Sequence, residues 1–165
     1  EQNEETVHIL AYDPVFLLTK RIVAYVEGTP YALKENMHAD DMIKAIVREN
    51  LGSLATDGNR DLSQWLVVED DESLAPKITV DDFAFQQVFP VLVDICEKSE
   101  SEGTYLSFDI EYDESIEKFI FKTYTGQRGV NRGSESASPL YLSHHTDFVN
   151  VMGSGLNYAS AEIDH

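Results

Sequence analysis

The chain has 165 residues, with 30 acidic side chains against 12 basic ones and a net charge of −18 at pH 7. A load of that sign repels nucleic-acid phosphates and anionic lipid, and no basic stripe offsets it. One cysteine, Cys96, excludes a disulfide framework within the chain, and no run of eighteen apolar residues is present to span a bilayer.

The length suits one domain over 1–165, large enough to bury a core without staples. Its first residue is Glu rather than Met, which suits a piece excised from a longer protein. Residues 6–12 form a β-type run, although Ile9 and Leu10 side by side blur its alternation. Asp13-Pro14 then opens a short helix over 14–20, because Asp can cap and Pro fits the first helical turn. Residues 22–26 read as extended, and Gly28-Thr29-Pro30 as a turn.

A main helix is expected over 39–51. Met42, Ile43, Ile46, Val47 and Leu51 share one face, Asp40 and Asp41 lie in the favourable first turn, and Gly52 supplies the stop. Loop-rich sequence follows over 52–77, with a turn at Asp57-Gly58-Asn59 and a solvated acidic run over Glu69, Asp70, Asp71 and Glu72. Within it 65–68 reads as a short strand, and 78–80 as a second.

The second main helix is expected over 86–100. Val88, Phe89, Leu92, Ile95, Cys96 and Ser99 form its buried stripe, Pro90 is tolerated near the first turn, and Gly103 ends it. It runs straight into a hairpin. Leu106, Phe108, Ile110 and Tyr112 alternate with Ser107, Asp109 and Glu111, a corner follows at 113–115, and 117–124 returns to Gly126. The predicted class is therefore α+β: antiparallel sheet packed against two main helices, with the helix over 86–100 as its lid. Beyond it, 127–138 reads as a Gly/Ser/Asn-rich loop, and 139–142, 146–151 and 157–163 as strand-like pieces.

No catalytic or metal-binding set is complete. On a strand His145 and Asp147 would share a face beside His144, but two ligands without a third at a recognised spacing make no metal site. Asp109, Glu111, Asp113 and Glu117 imitate a calcium loop, yet Glu114 stands where glycine is needed and Ile120 where the bidentate glutamate belongs. These acids read instead as the wet face of a strand. Acidic pairs for glycoside hydrolysis are numerous, and that abundance on a polyanionic chain singles none out. Cys96 belongs to the buried stripe, so it reads as core rather than nucleophile. Gly126 to Gly129 lacks phosphate-loop spacing. Trp65 and the tyrosines could form a sugar platform, but scattered aromatics more often pack cores and edges.

The order of elements, together with four local stretches, resembles a family of siphovirus tail proteins, the "gene product thirty-seven-like" tail or baseplate-hub components. The stretches are 17–23, 40–50, the Tyr-x-Gly-x-Arg run of Tyr124, Gly126 and Arg128, and 147–151. The chain departs from the family pattern over 139–146, where a longer glycine-containing connection is usual. The resemblance implies a structural, non-enzymatic protein of the virion tail, made in the bacterial cytoplasm. It would assemble with tube, distal-tail and tip proteins as a ring, commonly a homotrimer, without cofactor. The matched stretches carry no catalytic residue. A carbohydrate-binding or glycan-hydrolysing tail-associated module, using the acids and aromatics, is the alternative.

Overall fold

The computed structural model describes residues 12–24, 32–126 and 128–129. Its elements are α1 (Phe16–Thr19), β1 (Lys34–His38), α2 (Ala39–Asn50), a 3-10 turn (Gly58–Arg60), β2 (Leu66–Val68), β3 (Lys77–Val80), α3 (Val88–Ser101), β4 (Leu106–Asp113) and β5 (Lys118–Thr125). All belong to the first of two units, Glu1–Arg128 and Gly129–His165. The expectation of one domain over 1–165 extends onto residues outside the described set. So do the run at 6–12, most of the extended stretch at 22–26, the turn at 28–30 and everything expected beyond 129.

The fold is α+β. A three-stranded sheet in the order β2-β5-β4 and a two-stranded sheet β1-β3 enclose a core with the helices. Sequence period builds α2: Met42, Ile43, Ile46 and Val47 are fully buried, as is Leu51 at the C-cap. Gly52 ends the helix for a reason beyond flexibility. The chain folds back so closely that a Cβ there would stand 3.0 Å from the Arg48 Cα.

α3 starts at Val88, two residues later than its pattern suggests. Ile22 forms a bridge with Gln87, the Val23 N–H donates to the Gln86 carbonyl, and the Val88 N–H donates to Arg21. That pairing holds Gln87 in an extended conformation and keeps it out of the helix. Val88, Val91, Leu92, Ile95 and Ser99 are buried, whereas Phe89 and Cys96 are half-buried and pack on the core's margin. Gly103 closes the helix at φ +90°, a conformation that costs other residues.

β4 and β5 pair without a slip from Leu106↔Thr125 to Asp113↔Lys118. Leu106, Ile110 and Phe121 go into the core, and Phe108 stands between Phe89 and Phe121 at centroid distances of 5.9 and 5.8 Å. Tyr112 continues the alternation but does not reach the core. It is 55% exposed at the turn end of the hairpin, with its ring edge-on to Phe119.

Two further features differ from expectation. β2 runs parallel to β5, so the larger sheet is mixed rather than purely antiparallel. The long connection through β3, α3 and β4 brings the chain back in the same direction, as a parallel pair requires. β1 has no apolar alternation to announce it; its sequence is Lys-Glu-Asn-Met-His. Pairing with β3 creates it, with an irregularity at Asn36, whose φ is +49°. At its start Lys34 Nζ donates to both carboxylate oxygens of Glu49 on α2, at 2.6 and 2.8 Å, a pair closed off from solvent. Burial pushes the Glu49 carboxyl up, against the pull of Lys34.

Candidate functional site

Among the described residues two convergences of polar side chains bring several charged groups together, and both fasten the chain to itself. The first lies along α2, where Asp40, Asp41, Lys44 and Arg48 face the acidic connection between β2 and β3. Asp40 accepts from the N–H groups of Leu74 and Ala75 at 2.9 and 3.0 Å. Asp41 accepts from the N–H groups of Glu72 and Ser73 and from the Ser73 hydroxyl at 2.7 Å. Lys44, fully buried, donates to the Asp70 carbonyl at 2.6 Å and lies 3.6 Å from the Glu69 carboxylate. Arg48 donates to the Asp71 carboxylate at 2.6 Å and to the Glu69 carbonyl. Burial raises the Asp41 carboxyl, but the hydrogen bonds from Ser73 and Glu72, with nearby Lys44, outweigh it and hold the group low.

The run expected to be merely solvated is thus clamped by its backbone. Its Asp70, Asp71 and Glu72 side chains are exposed, while their peptide groups are held on the helix. Asp40 and Asp41 act on this loop as hydrogen-bond acceptors, a role that their favourable position in the helix dipole does not reveal.

The second convergence is the outer face of the hairpin. Tyr124 donates its hydroxyl to Glu111 at 2.5 Å, and Lys122 donates to the same carboxylate at 3.0 Å. Arg128 donates to Asp109 at 3.0 Å and to Glu111 at 3.3 Å, with its guanidinium over the Tyr124 ring. Gly126, at φ +78°, makes the reversal that brings Arg128 back. Hydrogen bonds from Tyr124 and Lys122 hold the Glu111 carboxyl below the usual range. Burial, then Glu111, pushes the Tyr124 phenol up. Asp109 and Glu111 sit on the wet face as their alternation predicts, each with a partner. Asp113 turns to Ser115, and Glu117 takes φ +54° in the turn.

Among the described residues no group of three or more His, Cys, Asp or Glu is placed to hold a metal. His144, His145 and Asp147 lie outside the described residues. Cys96 is packed at the core's margin, where burial pushes its thiol up to about 12. Trp65 does not join the core; it is 67% exposed just before β2. No described helix is long and apolar enough to cross a membrane.

The backbone offers one further feature. β4 is an edge strand, and among the described residues nothing pairs with its outer side. Sequence reading locates this strand but not its place in the sheet, since strand order is a long-range property.

These features define an α+β domain whose charged groups tie its own loops and hairpin together. No protein-family model matches the chain, and no curated protein or solved structure does either.

Proposed function

We propose that the protein is a structural, non-enzymatic component of a phage or prophage tail, part of a baseplate or tail-tip hub. It works by assembly with tube, distal-tail and tip proteins, and as a homotrimer in full-length form. One observation carries the reading: among the described residues the two groups of charged side chains on α2 and on the hairpin bind within the chain, while no described strand pairs with the outer edge of the eight residues of β4. An edge of that kind is a template for another chain. The Tyr-x-Gly-x-Arg run supports it as well, because Tyr124, Gly126 and Arg128 serve to brace the hairpin. The test is electron microscopy of tails from an induced host culture, with labelled antibody against this chain. Antibody at the tail tip, and a ring-sized mass for the full-length protein in light scattering, are the expected results.

The exposure of Trp65 favours a second reading, a carbohydrate-binding or glycan-hydrolysing module. A full-length protein that is monomeric, absent from purified tails and active on cell-wall glycan puts this reading in place of the first.

A further inference from the structure

In an antiparallel ladder, alternate residues turn their N–H and C=O groups to opposite sides. The Gly126 N–H donates to the Tyr105 carbonyl at 2.8 Å, which makes those two a bonded pair. With the register unbroken, Ser107, Asp109, Glu111 and Asp113 bond toward β5. Leu106, Phe108, Ile110 and Tyr112 therefore turn their backbone groups outward. The Ile110 N–H turns to the carboxylate of its own neighbour, Asp109, at 2.8 Å. A carbonyl from an added strand is the acceptor that such an amide otherwise takes.

Beside Phe108 and Asp109 on this strand lies an open groove of about 480 Å³. Tyr12, Phe16 and Phe89 form its other walls, with Asp13 at the Tyr12 end. Tyr12 and Phe16 are stacked at 4.4 Å, and Tyr12 is 61% exposed. The site thus joins two recognition elements, a row of outward backbone groups that no described strand pairs and an aromatic trough.

Charge selects the occupant. A second copy of β4 laid on the first would set Asp109, Glu111 and Asp113 against carboxylates, which is destabilising. Lys122 and Arg128 answer part of the negative charge of Asp109 and Glu111. Asp13 and Asp113 accept from uncharged donors, the Val15 N–H and the Ser115 N–H and hydroxyl. Among the described residues no cation forms an ion pair with either, although Lys122 acts on Asp113 from a distance, so both can meet a partner's Lys or Arg.

We propose that the outer edge of β4 takes up an extended segment of a partner protein as an added strand, and that this segment alternates apolar and basic side chains. The apolar side chains enter the aromatic trough, and the basic ones meet the carboxylates. The identity of the partner as a tail neighbour rests on the reading above, whereas the surface does not depend on it.

The experiment titrates the full chain with a synthetic peptide alternating Val or Phe with Lys, and with its counterpart carrying Glu for Lys. Fluorescence anisotropy reads affinity, and amide hydrogen exchange reads location. The Lys peptide is expected to bind and to slow exchange at Phe108, Ile110 and Tyr112. Tyr112→Pro removes an outward N–H without touching the ladder to β5. That variant, Tyr12→Ala, Asp13→Lys and the Glu peptide are each expected to lower affinity by roughly tenfold or more. Tyr12 and Asp13 are exposed, so those variants keep the test decisive should Tyr112→Pro fail to fold. Absence of binding, equal binding of the Glu peptide, protection elsewhere, or indifference to Tyr12→Ala and Asp13→Lys overturns the proposal. Self-association that protects β4 without peptide overturns it in favour of a second copy. Peptide binding by a protein absent from tails leaves this surface standing and removes only the tail reading.

Discussion

The guanidinium of Arg128 lies over the ring of Tyr124, 4.1 Å from its centroid, and the chain reaches that position through Gly126 at φ +78°. The same guanidinium holds Asp109 and Glu111 on the neighbouring strand. Among the described residues nothing stands within 4 Å of a Cβ added to Gly126, so a substitution there is opposed by backbone conformation and not by crowding. Gly126→Ala is expected to cost about 1 kcal/mol in urea denaturation, the usual penalty of left-handed backbone. An unchanged midpoint would mean that the turn relaxes and the brace contributes nothing.

The Tyr124 phenol is held up by burial and by Glu111, and drawn down by Arg128 and Lys122. Glu111→Gln should therefore lower its titration and Arg128→Ala raise it further. Phenolate absorbance, taken as the difference from a Tyr124→Phe chain, isolates this ring from the other seven tyrosines of the eight present. Shifts in the same direction for both variants would contradict the geometry.

Leu92 is fully buried at the centre of the α3 stripe. Leu92→Ala should cost about 2–5 kcal/mol, the range for a cavity opened in a packed core. A loss of about 0.5 kcal/mol, typical of surface positions, would show that α3 presents a different face to the sheet.

Acid should act on the α2 clamp with a definite sign. Asp41 is held below its ordinary value in the folded chain, so its contribution is present above the ordinary carboxylate range and is lost as pH falls through the lowered value. Glu49 works in reverse. Its raised carboxyl favours the fold below the ordinary value, and that contribution fades as pH rises through the raised one. Urea midpoints followed across acid pH should fall less steeply for Asp41→Asn than for the parent chain. For Glu49→Gln, which lacks the opposing contribution, the acid-side fall should be steeper. Parallel curves for all three chains would remove both groups from the account.

The Cys96 thiol, pushed up to about 12, should resist alkylation in the folded chain near neutral pH and react once denaturant unfolds it. Iodoacetamide labelling followed by mass measurement reads this directly. Rapid labelling without denaturant would place the thiol in solvent.

Local pattern accounts for what could be read in advance. The α2 and α3 stripes, the glycine at the end of each and the β4–β5 alternation each lie within one short continuous stretch of sequence, where side-chain period reports directly on burial. The carboxylates of β4 were legible as a wet face for the same reason. Their partners were not, because Arg128 reaches Asp109 across nineteen positions of sequence and only through the left-handed turn at Gly126.

By itself the sequence determined the fold class, the two amphipathic helices, the hairpin and the acidic character of the chain, since each follows from composition or from local periodicity. Tertiary structure alone decided that β2 joins β5 in parallel, that Lys-Glu-Asn-Met-His becomes β1 against β3, and that Asp40 and Asp41 anchor a loop more than thirty residues away. It also left β4 at the edge. Strand order and backbone hydrogen bonding depend on which distant segments meet, and a short polar strand or a capping carboxylate carries no periodic signal that names its partner.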